Sequence, residues 1–254
     1  MRNYIVLAAM LGLIASPVVA QECKEIRFGT DAGFAPFAFR DESGEPKGFE
    51  IDLIKAICTQ QNATCSFVIN DFDALIPSLV TSRIDAISAA MSITDERKKQ
   101  IAFSQSYANP PARFVGQKDA EFQLTKEFLS GKTVGVLRGQ TGETYMKKSF
   151  GDAVTLQLYD SQDSMTQDLA TGRLDFALND APGLSEGFLK LVGGEDYAFV
   201  GPELHDKLFG DGYGFGLRKD DECRLRVIND GLAAIRKDGT YDKVRQHWFA
   251  YNIE

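Results

Sequence analysis

Three charged side chains, those of Arg97, Asp180 and Asp31, are candidates for binding a small charged molecule. Arg97 lies near the start of a predicted helix, and a planar guanidinium in a cleft binds a carboxylate through two parallel hydrogen bonds. Asp180 follows an apolar run, where it could bind a ligand at a strand end or cap a helix. Asp31 precedes a loop with two aromatic residues, 33–37. The pattern alone favours a solvated Arg97 and a capping Asp180.

A strand, a turn and a helix surround Thr141. The run 134–137 predicts a short strand, Gly139 lies in the turn, and the helix begins near Thr141. Free amides at a helix start bind carboxylates or phosphates, but the pattern favours simple capping by Thr141. The spacing of a Walker phosphate loop is missing, so the sequence does not indicate nucleotide binding.

The histidines and the overall charge exclude several classes of function. Neither His205 nor His247 stands in a nucleophile elbow, so the sequence predicts no Ser-His-Asp triad. Neither has ligand spacing to a second histidine or to a cysteine pair, and we expect no metal and no cofactor. The 28 basic and 36 acidic side chains give a net charge of −8, which argues against nucleic-acid binding.

The first 20 residues follow the order of a secretory signal peptide. Arg2 supplies a positive charge, an apolar run of 12 residues extends from Tyr4 to Ala15, and small residues precede a cleavage point after Ala20. No later run reaches the roughly 18 apolar residues that a membrane-spanning helix needs. We therefore expect residues 1–20 to be a signal peptide and the mature chain to be soluble and exported.

Export favours disulfide bonds between the cysteines. Cys58 and Cys65 are separated by a short segment at the end of a helical stretch, a spacing that suits a local disulfide between that helix and the next strand. Cys23 and Cys223 would then form a second bond.

Short β-rich runs alternate with amphipathic helical stretches, which predicts an α/β fold with mostly parallel sheet. The predicted strands are 26–30, 65–69 and 84–89. The predicted helices are 49–61, 72–81, 221–237 and 241–251.

An internal similarity suggests two related units. Residues 79–87 and 169–177 each contain a helix end, an arginine, and an apolar–Asp–apolar entry to a strand. A proline pair and a glycine-rich segment interrupt the pattern and predict two chain crossings, although one continuous domain is the alternative. The predicted division is a first lobe of 21–108 and 211–254, a second lobe of 112–204, and hinge crossings at 109–111 and 205–210.

A series of motifs follows in order along the chain: Gly29-Thr30-Asp31 with Phe34-Ala35-Pro36-Phe37, Gly48-Phe49-Glu50-Ile51-Asp52-Leu53, 71–79, 92–97, Gly135-Val136-Leu137 with Gly139 and Thr141, 185–190, 209–212 and 216–221. Together they resemble the periplasmic polar-amino-acid-binding proteins of ABC importers (solute-binding protein family 3), in particular the lysine/arginine/ornithine- and histidine-binding members. The resemblance covers nearly all of the mature chain.

The resemblance implies a two-lobe periplasmic-binding-protein fold, with each lobe a sheet flanked by helices and the lobes joined by a two-segment hinge. It implies a monomer in the periplasm of a Gram-negative bacterium. Such a protein captures an amino acid by lobe closure and delivers it to an inner-membrane ABC permease, without catalysis.

The resemblance also assigns the ends of the ligand. It implies that Arg97 binds the ligand α-carboxylate, with help from Ser92 and Thr141 at two helix starts. Asp180 would bind the α-ammonium group. Asp31 would face the distal end of the ligand side chain.

The remaining side-chain pocket is where the chain departs from the family pattern. The resemblance implies that Phe34 and Phe72 stack on the aliphatic part of the ligand. Basic-amino-acid binders typically have two serines where this chain has Ala89 and Ala90, so this wall loses two hydroxyl groups. A similar Ala-Ala-Met run in opine-binding relatives leaves an opine or a glutamine-like ligand open. A dehydratase of cyclohexadienyl substrates is a further alternative, with Glu143 as its candidate acid.

Overall fold

The computed structural model describes residues 23–254, and the predicted signal peptide lies outside the described residues. The described chain forms two α/β lobes, each built around a five-stranded sheet. Within residues 23–254, no helix is long and apolar enough to cross a membrane.

The sheet of the first lobe combines strands from both ends of the chain. Its strands are β1 (Glu25–Thr30), β5 (Thr64–Ile69), β6 (Ala86–Ile87), β7 (Ala102–Phe103) and β13 (Gly216–Leu217). They lie in the order β5-β1-β6-β13-β7. A small antiparallel sheet beside them contains β2 (Gly33–Phe34), β3 (Ala38–Arg40) and β4 (Pro46–Lys47).

The sheet of the second lobe repeats this arrangement with a continuous segment of chain. Its strands are β8 (Ala112–Gln117), β9 (Thr133–Leu137), β10 (Thr155–Tyr159), β11 (Phe176–Asp180) and β12 (Tyr197–Leu204). They lie in the order β10-β9-β11-β8-β12, which is the same topology as that of the first sheet.

In each sheet four of the five strands run in the same direction and one runs against them, so the sheets are mixed but mostly parallel, as the sequence predicts. In the first sheet β1 runs parallel to β5 and β6, while β13 runs antiparallel to β6 and β7. In the second sheet β9 runs parallel to β10 and β11, while β8 runs antiparallel to β11 and β12. Strands β8 and β13 are the first strands after the chain changes lobe. They therefore enter the sheet without the helical crossover that makes neighbouring strands parallel.

Helices cover the faces of both sheets. Those of the first lobe are α1 (Phe49–Gln61), α2 (Phe72–Val80), α3 (Asp95–Lys98), α8 (Glu222–Lys237) and α9 (Thr240–Trp248). Those of the second lobe are α4 (Lys126–Leu129), α5 (Thr141–Phe150), α6 (Gln162–Ala170) and α7 (Ala181–Leu184). The predicted helices are confirmed, except that the last one ends at Trp248 instead of continuing to 251.

Local sequence explains where α1 begins, ends and packs. Its apolar residues Phe49, Leu53, Ile54 and Ile57 recur at helical spacing and are all buried. The helix ends at Asn62, whose left-handed φ of 49° stops the helical repeat. This buried face packs against α8, which brings the two ends of the chain together in one core.

A cluster of aromatic rings fills the first lobe next to the cleft. The Phe37 ring lies 5.3 Å from that of Phe249, and the Tyr107 ring stacks on that of Phe215 at 4.7 Å. Trp248 packs edge-on against Phe39 at 5.9 Å on the outer side of this lobe. Its indole Nε1 donates a hydrogen bond to Asp52 at 3.0 Å.

Both disulfides of the described residues belong to the first lobe. Cys58 pairs with Cys65 and clamps the end of α1 to β5. Cys23 pairs with Cys223 and joins the start of β1 to α8. These are the two pairs that the sequence led us to expect.

The predicted second crossing, 205–210, contains a structured part. Lys207–Phe209 form a short 3-10 helix, and the Phe209 ring lies 5.0 Å from that of Tyr145 in α5. This packing attaches residues 207–209 to the second lobe. Gly210 follows at once with a φ of 83°, and a Cβ at this position would lie 2.6 Å from the Ile93 carbonyl oxygen of the first lobe.

Candidate functional site

Arg97 reaches across the cleft between the two lobes. Thr94 caps the short helix α3 by accepting a hydrogen bond from the Arg97 amide at 3.3 Å. The guanidinium donates from Nη1 to the Ser92 carbonyl at 2.9 Å and from Nη2 to the Gly139 carbonyl of the second lobe at 3.1 Å. The expectation from the pattern alone, a solvated Arg97, was wrong. Desolvation lowers the pKa of Arg97 to about 10, against the opposing charge of Asp180.

Asp180 is the last residue of β11 and faces the same cleft. It is buried, and in the described structure its side chain makes no capping hydrogen bond to α7. Asp180 therefore occupies the cap position of α7 with a proline in the first turn, as the capping interpretation expected, but its side chain does not cap the helix. Desolvation raises the pKa of Asp180 to about 6, although the Tyr213 hydroxyl and the charge of Arg97 both act to lower it.

Asp31 immediately follows β1 and is oriented into the structure. Its Oδ1 is buried and has no hydrogen-bond partner among residues 23–254. Desolvation and the charge of Glu50 raise the pKa of Asp31 to about 7, while the amide of Gly33 acts to lower it. A buried carboxylate oxygen without a donor can accept a hydrogen bond from a cationic ligand group.

The two predicted aromatic walls differ in their surroundings. Phe72 begins α2 and lies under the Arg97 guanidinium, whose central carbon is 5.3 Å from the ring centroid. Phe34 is buried and stacks on Phe37 at 5.1 Å. Its ring touches Gly183 of the second lobe so closely that a Cβ there would lie 2.3 Å from it. Phe34 is therefore a contact between the lobes in this structure.

Thr141 is the first residue of α5 and not its cap. Gln140 occupies the cap position, and the Glu143 carboxylate accepts a hydrogen bond from the Gly139 amide at 2.7 Å. The capping role expected of Thr141 was therefore wrong. Thr141 and Arg97 instead line one cleft between the lobes.

The segment after β6 supplies the remaining predicted residues. Ala89, Ala90 and Ser92 are all buried, and Ser92 forms a backbone bridge with Tyr213. Ala90 has a φ of 44°, in the left-handed region. The predicted strand 84–89 contracts to Ala86–Ile87, because the chain bends into the cleft after it.

Direct contacts hold the lobes together around the site. The Gln162 side chain donates to the Ala35 carbonyl of the first lobe at 3.2 Å and to the Gly183 carbonyl at 2.9 Å. Asn179 donates to the Gln162 Oε1 at 3.0 Å, which fixes the orientation of this amide. Sequence reasoning did not find this pair, because a glutamine in a helix gives no pattern that distinguishes burial from exposure.

Glu50, Tyr107 and Tyr213 were also missed. All three are buried near the site, and the Glu50 carboxylate accepts hydrogen bonds from the Tyr107 hydroxyl and the Ala90 amide. An acid on the apolar face of α1, between Phe49 and buried aliphatic residues, was the signal that could have revealed Glu50.

The site therefore combines one arginine with acids contributed by both lobes. Arg97 and Asp180 interact across the cleft, and a cavity lined by Asp31 and Phe72 extends between the lobes beside them. Such a site can bind a carboxylate and an ammonium group together. Within residues 23–254, no group of three or more His, Cys, Asp or Glu could hold a metal ion.

Residues 26–251 match the family of bacterial extracellular solute-binding proteins, family 3. The chain belongs to this family. Two curated relatives from Escherichia coli (strain K12) are similar over most of their length. The lysine/arginine/ornithine-binding periplasmic protein is 42% identical over 99% of this chain and 98% of its own. The histidine-binding periplasmic protein is 43% identical over 91% of this chain and 89% of its own.

A solved structure extends the likeness to the fold. The structure of a Salmonella typhimurium periplasmic binding protein, described as highly specific for arginine, superposes with a TM-score of 0.81 at 34% identity. The superposition covers 89% of this chain and 99% of the other. The two-lobe periplasmic-binding-protein fold expected from the sequence is confirmed.

Proposed function

We propose that this solute-binding protein captures a basic L-amino acid, namely arginine, lysine, ornithine or histidine, between its lobes. The observation that carries the proposal is the set of three charges along the cleft. Arg97 would bind the α-carboxylate, assisted by Ser92 and Thr141, and Asp180 would bind the α-ammonium group. Asp31, with its buried unpartnered oxygen, would bind the cationic end of the side chain.

The relatives support the biological setting of this proposal. The chain would be exported to the periplasm of a Gram-negative bacterium, act as a monomer, and deliver its ligand to an inner-membrane ABC permease. Closure would occur by hinge motion at the crossings 109–111 and 205–210, with Gly210 as the main flexible point of the second crossing.

The wall formed by Ala89 and Ala90 favours a second candidate ligand class. Two methyl groups stand where the basic-amino-acid binders that the chain resembles have hydroxyls, so this side of the pocket is more apolar. A neutral glutamine-like side chain would tolerate that wall better than a cationic one, and the similar Ala-Ala-Met run of opine-binding relatives adds an opine as a candidate. Octopine and glutamine therefore belong in the ligand screen.

An enzymatic role has weaker support. The candidate acid Glu143 uses one carboxylate oxygen for the Gly139 amide and the other for an ion pair with Lys147. Both oxygens are engaged at the start of α5, which leaves Glu143 poorly placed to protonate a substrate. Turnover of prephenate or arogenate by the purified protein would establish the dehydratase alternative instead.

Isothermal titration calorimetry of ligand-free protein tests the proposal. We expect saturable one-to-one binding of at least one of arginine, lysine, ornithine and histidine, and weaker binding of glutamine and octopine. Preferential binding of octopine or glutamine would replace the proposed ligand class. Absence of heat and of a thermal shift with every compound would overturn amino-acid binding itself.

A further inference from the structure

Glu50 is a buried acid that none of the proposed ligand contacts uses. It is the second residue of α1, and it is 0% exposed. Its Oε2 accepts a hydrogen bond from the Ala90 amide at 2.9 Å, and its Oε1 accepts one from the Tyr107 hydroxyl. A single carboxylate thus joins the cleft segment at Ala90 to the segment that leads into the first crossing.

The backbone of α1 holds a third part of the site. The amides of Phe49 and Glu50 donate to the carbonyls of Pro36 and Phe37 at 2.9 and 3.0 Å. These carbonyls belong to the loop that follows Asp31. The first turn of α1 therefore fixes the end of this loop at Pro36 and Phe37, and Asp31, the proposed ligand-binding acid, precedes the start of the same loop.

The conformation of Ala90 depends on contacts from its surroundings. Its φ of 44° lies in the left-handed region, which an alanine side chain disfavours, so neighbouring groups must maintain it. Ala90 is also buried, and its amide donates to the Glu50 Oε2 at 2.9 Å. Glu50 supplies the acceptor that this amide would otherwise lack.

Tyr107 extends the same connection to both crossings. Its amide donates to the Tyr213 carbonyl at 2.9 Å, and the Tyr213 amide donates to the Ala108 carbonyl at 2.7 Å. Tyr107 and Ala108 precede the first crossing, and Tyr213 follows the second. A shift of Tyr107 would therefore displace the chain at both points where the lobes are connected.

We propose that Glu50 is a positioning residue that fixes the Ala90 wall of the pocket relative to the hinge segment at Tyr107. Glu50 acts through the Ala90 backbone and the Tyr107 hydroxyl, without touching the ligand. The wall and the hinge ends of the first lobe then move as one body when the second lobe closes. This inference rests on the proposed function, because a displaced Ala90 wall is detected as a change in the affinity for the ligand.

Three variants test it by calorimetry with arginine. Glu50→Ala removes both acceptors, and we expect the dissociation constant to rise about 20-fold or more, because the Ala90 amide is left unsatisfied. Glu50→Gln keeps one carbonyl oxygen for the Ala90 amide and a polar group for Tyr107, so we expect a rise of about 5-fold or less. Tyr107→Phe removes one of the two contacts while leaving Glu50 in place, which covers the case in which Glu50→Ala does not fold.

Tyr197→Phe is the matched control. Tyr197 is also a buried tyrosine, and its hydroxyl donates to the Leu169 carbonyl at 3.1 Å. Both residues belong to the second lobe, whereas Glu50 belongs to the first. We expect this variant to lower the melting temperature without changing the dissociation constant. Equal weakening by Tyr197→Phe and Tyr107→Phe would overturn the inference, as would Glu50→Gln binding as poorly as Glu50→Ala, which would assign the effect to charge.

Hydrogen exchange of the ligand-free protein separates this inference from the proposed function. We expect Tyr107→Phe and Glu50→Ala to increase exchange in both 88–91 and 105–109, with no increase in the second lobe. If the wild type binds no amino acid, the proposed function fails, while this coupled change still supports the connection. Unchanged exchange at 88–91 in both variants would overturn it even if arginine binds the wild type.

Discussion

The two lobes use the same junction to begin their sheets, but in different surroundings. In the first lobe, the Asp85 carboxylate accepts a hydrogen bond from the Arg27 amide at 3.1 Å at the start of β1. In the second lobe, the Asp175 carboxylate accepts one from the Thr133 amide at 2.8 Å at the start of β9. Both aspartates come from the repeated apolar–Asp–apolar sequence, so the internal similarity corresponds to a shared structural element.

The difference lies in what surrounds each aspartate. The Asp85 side chain is 8% exposed and also contacts the guanidinium groups of Arg27 and Arg218. The Asp175 side chain is 36% exposed and pairs with Lys132. Burial would raise the pKa of Asp85, but the hydrogen bonds from Arg27 outweigh it and hold the pKa below its ordinary value.

The comparison shows where the molecule is built to be rigid. The first lobe holds both disulfides of the described residues, the buried charge cluster at Asp85, and the aromatic core beside the cleft. It also carries Arg97 and Asp31. The second lobe contributes Asp180 and Thr141 from a sheet with the same topology but with less cross-linking. We infer that the first lobe is the prebuilt half of the site and that the second completes it.

The largest expected effect is on binding, from a change in the first lobe. Arg97→Ala should weaken binding of the preferred ligand by about 3–5 kcal/mol, because a desolvated ligand carboxylate loses its charged partner. Thr141→Ala in the second lobe removes one neutral hydroxyl and should cost about 1 kcal/mol. Calorimetry on both variants measures this difference between the lobes, and equal losses of binding free energy would contradict it.

The next largest effect is on the stability of the first lobe. Cys23→Ser with Cys223→Ser opens a loop with a sequence separation of 200 residues. Loop entropy then predicts a loss of about 2–5 kcal/mol in the free energy of unfolding. Urea unfolding of this variant measures the loss. Equal free energies of unfolding in the variant and the wild type would show that this disulfide does not stabilise the first lobe.

A pH effect follows from three acids at or near the cleft. The pKa values of Asp31 and Glu50 are raised to about 7 and that of Asp180 to about 6, so the folded ligand-free protein holds protons that the unfolded chain has lost. The stabilisation is complete below the unfolded pKa values of about 4 and disappears as the pH rises through the folded values. Asp31 and Asp180 together lose about 4 kcal/mol between pH 5 and pH 8, and Glu50 adds to this loss.

Variants divide this pH effect between the lobes. Asp31→Asn should reduce the part of the slope that extends to pH 7, to which Glu50 also contributes, and Asp180→Asn only the part that ends near pH 6. Arginine should stabilise the wild type more at pH 8 than at pH 5, because it pairs with the ionised acids. A melting temperature of the ligand-free protein that rises from pH 5 to pH 8 would contradict the prediction.

The smallest expected effect is the difference in the free energy of unfolding between variants at the Asp85 and Asp175 junctions. Asp85→Asn should lower the free energy of unfolding by about 1–2 kcal/mol more than Asp175→Asn, because the buried Asp85 carboxylate pairs with both Arg27 and Arg218. The exposed pair at Asp175 should contribute less than about 1 kcal/mol. Urea unfolding of the two single variants decides this, and identical losses would show that burial at Asp85 has no consequence.

Sequence reasoning was strongest where one face of an element determines its environment. The helix 49–61 was found to the residue, because its apolar positions and the turn after it are local signals. The lobe topology was harder, since the antiparallel strands β8 and β13 arise from the path of the chain between lobes. The hydrophobic pattern of a strand does not indicate whether the neighbouring strand runs parallel or antiparallel to it.

The site shows the same limit. Arg97 and Asp180 were identified as candidates, but pattern alone favoured a solvated Arg97 and a capping side chain at Asp180, because each stands beside a real helix start. Glu50 was passed over inside a motif, since its partners Ala90 and Tyr107 are distant in sequence. Long-range contacts decide which buried acids belong to a site, and one sequence does not reveal them.

The position of Trp248 makes the chain its own optical probe. It is the single tryptophan of the sequence, and its partners Asp52 and Phe39 both belong to the first lobe. Tryptophan fluorescence should therefore follow the unfolding of the first lobe alone, while circular dichroism averages over both. Without any label, the separation of these two signals would reveal whether the lobes melt together or in sequence.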